Sequence, residues 1–257
     1  MCRLTAYLGT EIPLENIIIR PAHSLLVQSH DAEESKIAVN GDGFGIAWYG
    51  HDERPGLYRD VLPAWADANL TNLCRMVKSG LFLAHVRAST TGETMRTNCH
   101  PFTYGKWSFM HNGQVGDFHL LRRNLENILP DPLYNARNGT TDSELLFHLL
   151  MHFMTSNGPK KAAELTIEAL HKAAEDTKTD PFLRLTCVFS DGVQLYGFRY
   201  ATDAFAPTLY FANNLDNGGA SLSSEPLDGN EHDWHMIDAN CYVEVKGREK
   251  HIEPLSI

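Results

Sequence analysis

Met1-Cys2-Arg3-Leu4-Thr5-Ala6-Tyr7-Leu8-Gly9 opens the chain, and the reading of its second residue governs the reading of the rest. Removal of Met1 leaves Cys2 with a thiol and a free α-amine on the same residue. The α-amine has a reference pKa of about 8 and the thiol of about 8.5, so near neutrality a proton passes readily between them. Directly or through a water, the amine can take the thiol proton as sulfur attacks and return it to a leaving nitrogen. This chemistry requires loss of Met1. Taken alone, Cys2 reads more readily as a small residue near the start of a first strand, Arg3 to Leu8; the residues that follow change that reading.

The 257 residues are enough to bury a sizeable core in one large domain or two small ones. Hydrophobic residues make up 43% and charged residues 21%, a soluble globular balance, and no apolar run approaches the roughly eighteen residues of a membrane span. No charged and then apolar leader precedes Cys2, so the expected location is the reducing cytoplasm. Cys2, Cys74, Cys99, Cys187 and Cys241 are odd in number and widely spaced, which argues against a disulfide framework and a structural metal site; no cofactor is expected. The net charge of −10 weighs against nucleic acid as a partner.

Beyond the first strand, Pro13 to His30 predicts a short helix broken near Pro21. Asn40-Gly-Asp-Gly-Phe-Gly-Ile-Ala-Trp-Tyr49 places three glycines before an apolar strand, where the backbone either turns tightly or lies close against something. This is not a dinucleotide fingerprint, because no helix follows the glycines. A short strand at Gly56 to Tyr58 and a helix from Asn69 to Val77 are expected next. Leu81-Phe-Leu-Ala-His-Val86 reads as a buried strand that delivers Arg87, Ser89, Thr90 and Thr91 at its C-terminal end. Trp107 to His111 reads as another strand ending in Asn112-Gly113, a pair that ordinarily makes a hairpin turn. Asn124 to Gly139 is expected to be loop-rich, with one amphipathic turn.

Thr141-Asp-Ser-Glu144 has the spacing of a capping box before an apolar-periodic helix, with Asp142 in its first turn. A second helix runs from Pro159 to Ala174. From Leu183 the pattern turns to strands, with Asp191-Gly192 between Leu183 to Phe189 and Val193 to Tyr200, and further strands at Thr208 to Ala212 and Asn240 to Val245. Strands, two long helices and strands again, with no linker and no repeat, predict one domain over 2–257 with helices packed on two strand layers.

Met1-Cys2-Arg3, Asp42-Gly-Phe-Gly-Ile46, Ala84-His-Val-Arg87 with Thr90, His100-Pro-Phe102, His111-Asn-Gly113 and Thr141-Asp-Ser-Glu144 together resemble the class II glutamine amidotransferases, in particular short stand-alone members. The resemblance covers about the first 150 residues; Ser224-Glu-Pro226 is its most recognisable later signature. It implies an α+β fold, the four-layer α/β/β/α sandwich of N-terminal nucleophile hydrolases. It also implies Cys2 as nucleophile, forming a γ-glutamyl thioester that water hydrolyses. Arg87 would hold the substrate α-carboxylate with help from Thr90, Asp142 the α-ammonium, and Asn112 and Gly113 the oxyanion.

These residue types suit the task. An amino-acid end carries one carboxylate and one ammonium, matched by one planar cation and one fixed anion. Amide hydrolysis also needs donors where negative charge develops. Two departures bear on substrate: Ala88 stands where a tryptophan is usual after the arginine, and Thr91 where many synthase-linked members have histidine. The substrate is therefore glutamine, with its ammonia passed to a separate synthase subunit, or a larger γ-glutamyl amide of thiol or glutathione-like metabolism, where the partner could be a peptidase subunit. A non-catalytic ligand- or partner-binding module is the reading of another class, and retention of Met1 would favour it.

Overall fold

The computed structural model describes residues 2–34, 39–89, 93–213, 215, 218–228 and 234–257; Met1, Thr90 and Thr91 lie outside them. In chain order, β1 (Arg3–Pro13) is followed by α1 (Glu15–Ile18), α2 (Leu25–His30), β2 (Phe44–Trp48) and β3 (Gly56–Asp60). Helix α3 (Ala68–Met76) leads into β4 (Lys78–Val86), and β5 (Phe102–Tyr104) turns into β6 (Trp107–Val115). Four helices come next: α4 (Phe118–Glu126), α5 (Asp131–Asn135), α6 (Asp142–Met154) and α7 (Pro159–Thr177). The remaining strands are β7 (Leu183–Ser190), β8 (Leu195–Ala201), β9 (Tyr210–Ala212), β10 (Ala220–Ser223), β11 (His235–Met236), β12 (Cys241–Lys246) and β13 (Glu249–Pro254).

The strands form two antiparallel sheets, ordered β11-β9-β10-β1-β4-β2-β3 and β13-β12-β8-β7-β6-β5. Side chains alternate between the faces of a strand, and three cores follow from that alternation. Leu4, Ala6, Leu81 and Leu83 of the first sheet meet Met110, Val188, Val243 and Val245 of the second. On the outer face of the first sheet, Tyr7, Phe82, Ala84 and Val86 pack under Ile17, Leu25 and Leu70 from α1, α2 and α3. On the outer face of the second, Phe109, Leu185, Cys187 and Phe189 pack under Leu121, Phe147 and Ile167 from α4, α6 and α7. The layers are α/β/β/α. Strands covered on both faces read as continuous apolar runs, which is why Leu81 to Val86 shows no polar alternation.

Three local expectations are corrected. Asn112-Gly113 does not end its strand: β6 continues to Val115, paired along its length with β7, with Asn112 opposite Thr186 and Gly113 opposite Leu185. A long ladder partner from the far side of the helices thus overrides the local turn signal. Asn124 to Gly139 carries loop as expected, but with it the end of α4 and the short helix α5, more helix than one amphipathic turn. The capping box is half made: Thr141 accepts the Glu144 N–H at 3.2 Å, but the Glu144 carboxylate accepts the N–H groups of Asn138 and Gly139 at 2.8 and 2.7 Å.

Candidate active site

The alternation that builds the central core also directs the candidate residues. Cys2 continues the inward series of Ala6 and Leu4, Arg87 that of Leu81, Leu83 and His85, and Asn112 that of Met110. β1 and β4 approach β6 across the space between the sheets. The polar residues therefore cluster where the apolar filling of the sandwich runs out.

Cys2 precedes the β1–β4 ladder, whose first pair is Arg3 with Val86. Its Sγ accepts the Ala88 N–H at 3.4 Å and lies 3.5 Å from the Ala88 carbonyl oxygen. Burial raises the thiol above its ordinary pKa, and the Ala88 hydrogen bond with the charges of Arg87 and Arg3 offsets this only in part. The sulfur is a thiol near neutrality unless something adds a base.

Arg87 is buried. Its backbone N–H donates to Gly43 at 2.8 Å and its carbonyl accepts from Asp42 at 2.9 Å, while its guanidinium donates to Ser89 Oγ at 3.0 Å. Asp42 closes the arrangement by accepting the Ser89 N–H at 2.7 Å. The glycine-rich stretch is thus a bracket for the end of β4. Gly43 is required there, because its φ is +116° and a Cβ would come within 2.6 Å of Cys99 Sγ.

Asn112 is fully buried, and among the described residues neither its amide oxygen nor its amide nitrogen has a hydrogen-bond partner. Leaving such a group unsatisfied costs about 1–3 kcal/mol, so its retention points to a partner that arrives later. Gly113 next to it has φ +147°, and a Cβ would sit 1.8 Å from the Arg184 carbonyl oxygen. Only glycine fits.

Asp142, at the start of α6, is tied to the same strand. Its carboxylate accepts the Val115 N–H at 2.9 Å and the Ser143 N–H at 2.8 Å. His111 adds a second tie: Nε2 lies 3.3 Å from the Arg184 carbonyl, which can only accept, and Nδ1 lies 2.9 Å from Ser143 Oγ. The neutral ring therefore carries its proton on Nε2 and accepts from the serine hydroxyl. Burial lowers the His111 pKa, against the charge of Asp142, which favours that neutral form. An open cleft of about 580 Å³ flanks Asp142 and is lined also by Gln114, Phe118, His119 and Arg122. Cys2, Arg87 and Asn112 do not line it.

The described contacts thus form two groups, Cys2 with Ala88 and Arg87 on the first sheet, and Asn112-Gly113 with Asp142 on the second. Thr90 belongs to neither description. His111, Ser143 and the Ala88 amide were not singled out from sequence. The two side chains immediately flank Asn112 and Asp142, which was the available signal; a backbone amide leaves none. His85 and His100, both within the quoted motifs, stack with ring centroids 4.2 Å apart. None of their ring nitrogens makes a hydrogen bond among the described residues. Burial drives the His85 pKa down to about 3, although the His111 carbonyl nearby opposes this, and places His100 well below the ordinary range.

Residues 16–209 match the family model described as glutamine amidotransferases class-II, a span that contains Arg87, Asn112, Gly113 and Asp142 but begins after Cys2. The probable glutamine amidotransferase DUG3 of Saccharomyces cerevisiae is 32% identical over 99% of this chain and 84% of its own length. The gamma-glutamyl-hercynylcysteine sulfoxide hydrolase of Mycolicibacterium smegmatis is 28% identical over 99% of this chain and 100% of its own. Among solved structures, a glutamine aminotransferase class-II domain protein from Silicibacter pomeroyi is 34% identical, with a TM-score of 0.79 over 100% of both chains. The glutamine phosphoribosylpyrophosphate amidotransferase of B. subtilis shares the fold, with a TM-score of 0.66 at 13% identity over 100% of this chain and 50% of that one.

The chain belongs to the class II glutamine amidotransferases and is an enzyme with their N-terminal nucleophile hydrolase fold. Among the described residues, no helix is long and apolar enough to cross a membrane.

Proposed function

We propose that this enzyme hydrolyses the side-chain amide of glutamine, giving glutamate and ammonia, through a γ-glutamyl thioester on Cys2. The observation that carries this reading is the buried amide of Asn112, without a hydrogen-bond partner among the described residues, on the strand facing the Cys2 end of the first sheet. Once Met1 is removed, the Cys2 α-amine takes the thiol proton as sulfur attacks the amide carbonyl. The Asn112 amide and the Gly113 N–H donate to the oxygen that becomes negative. Collapse breaks the C–N bond, the proton returns to the leaving nitrogen, and water cleaves the thioester to regenerate the thiol. Arg87 holds the α-carboxylate, with Thr90 adding a hydroxyl, and Asp142, oriented by Val115 and Ser143, holds the α-ammonium. Ammonia released in this way would serve a separate synthase subunit.

A second reading keeps every one of these roles and changes the leaving group. A relative matched over nearly the whole of both chains is named as the hydrolase of a γ-glutamyl cysteine sulfoxide compound, which favours a larger γ-glutamyl amide as substrate. Mass spectrometry of the protein incubated with glutamine and, separately, with γ-glutamylcysteine tests both. Loss of Met1 and a γ-glutamyl adduct on Cys2 are expected, and the compound with the larger kcat/KM identifies the leaving group. A processed chain that turns over substrate with no adduct on Cys2, even when quenched in acid, would reject the thioester.

A further inference from the structure

Ser224-Glu225-Pro226 carries no role in the mechanism above, yet its first two residues reach the start of β1. We propose that Glu225, acting through Arg3, and Ser224, bonded to the Leu4 backbone, form a clamp that positions the nucleophile Cys2; Arg3 and Glu225 are positioning residues. The proposal rests on the reading of Cys2 as nucleophile.

The need for a clamp follows from topology. Once Met1 is gone, Cys2 has a covalent neighbour on one side only, and it lies ahead of the first β1–β4 pair. On the other side of β1, the ladder with β10 stops at Thr5 and Ser223. A terminal residue outside both ladders keeps its backbone rotations unless side chains hold it, and a misplacement of about 1 Å at a reacting atom can lower the rate about 100-fold.

Side chains and backbone of the next residues take over where β10 ends. Ser224 Oγ accepts the Leu4 N–H at 3.0 Å, and the Ser224 N–H donates to the Leu4 carbonyl at 2.9 Å. Arg3 is fully buried on the opposite face from Cys2. Its Nε donates back to the Cys2 carbonyl at 2.7 Å, and Nη1 donates to Glu225 Oε1 at 2.9 Å. Glu225 itself is immobilised: besides Arg3 it meets His23 Nε2 at 2.6 Å and accepts the N–H groups of Glu33 and Glu34 at 3.1 and 3.0 Å. Four partners fill the acceptor capacity of a carboxylate. Burial opposes its ionisation, but His23, the Glu34 amide and Arg3 hold its pKa below the ordinary value, so the anchor stays charged. The guanidinium is thereby fixed at one end, and its Nε fixes the Cys2 carbonyl at the other.

Arg3→Lys separates this role from a merely structural ion pair. Lysine keeps the charge for Glu225 but has no second donor placed to return to the Cys2 carbonyl. With whichever of glutamine and γ-glutamylcysteine the native enzyme turns over, kcat is expected to fall about 100-fold while KM stays within about twofold, because Arg87 and Asp142 still bind the substrate. Iodoacetamide alkylation of Cys2, followed by mass across pH, should show its midpoint moving toward that of an ordinary thiol. If kcat and the alkylation midpoint are native in R3K, or if KM rises in step with the loss of kcat, the clamp is refuted.

Should R3K not fold, the double variant R3M/E225Q, which removes both buried charges together, is scored by the same criteria. A chain that folds in neither form is explained by a structural role and also refutes the clamp. C2A, run in parallel, keeps the two claims apart. An active C2A overturns Cys2 as nucleophile, whereas an inactive C2A beside a native-like R3K overturns only the clamp.

Discussion

The Ala88 amide points at the Cys2 sulfur from 3.4 Å, and the Ala88 carbonyl lies 3.5 Å from the same atom, so one peptide residue meets the nucleophile with both a donor and an acceptor. The acceptor suits the neutral S–H and the donor suits a thiolate. Which form prevails is decided by burial, which raises the thiol pKa.

Iodoacetamide alkylation should therefore distinguish the two N-termini. In a chain that keeps Met1, the pH midpoint for Cys2 is expected above the ordinary value of about 8.5. In the processed chain the adjacent α-amine can take the proton, and reaction should extend to lower pH. Identical profiles for the two forms would remove the α-amine from its role as base.

Asn112→Ala should lower kcat by about 10²–10³, the loss typical of one oxyanion donor and worth about 3 kcal/mol, with little change in KM. Stability moves the other way. The amide is buried without a hydrogen-bond partner among the described residues, so its removal should leave the thermal midpoint unchanged or raise it. A native kcat in N112A would show that the Asn112 donor is not used, and a large drop in thermal midpoint would show that its amide has partners in the folded chain.

The legibility of these residues in the sequence follows their physics. Cys2, Arg87, Asn112 and Asp142 stood out because each sits in a short local motif whose chemistry is carried by its own side chain. The two long helices were legible from capping and periodicity. Gly113 was visible but placed at the end of its strand, since nothing local announces that β7, about seventy residues on, will extend it. The Glu225 clamp was illegible for the same reason: Arg3 and Glu225 are 222 positions apart and meet only through the pairing of β1 with β10. Strand β13, an exposed edge of alternating charge, lacked the apolar pattern that announces a strand.

Arg87→Lys tests the carboxylate site. The guanidinium is buried and oriented by Ser89 and by the backbone bracket of Asp42 and Gly43, leaving it little freedom to adapt. Lysine offers a point charge in place of a planar fork. KM should rise about 10- to 100-fold, a loss of about 1.4–2.8 kcal/mol, with a smaller change in kcat. An unchanged KM would move the α-carboxylate away from Arg87.

The stacked pair of His85 and His100 makes stability depend on pH with a definite sign. The His85 pKa is lowered to about 3 in the folded chain, chiefly by burial, against about 6.5 when unfolded. Between those values the unfolded chain binds the extra proton, so the stabilising neutral state is fully effective above about pH 6.5 and is lost as pH falls, at about 1.4 kcal/mol per pH unit for one such histidine. By pH 5 that amounts to about 2 kcal/mol from His85 alone. Carboxylates held below their ordinary pKa, such as Glu225, contribute a slope of the same sign at lower pH. The comparison that isolates the histidine is therefore His85→Phe, which keeps a ring against His100 and cannot titrate. Urea unfolding at pH 7 and pH 5 should show a smaller loss of stability in H85F than in the native chain, by about 2 kcal/mol. Equal losses would mean that His85 takes up its proton in the folded state as easily as in the unfolded one, against the burial that lowers its pKa.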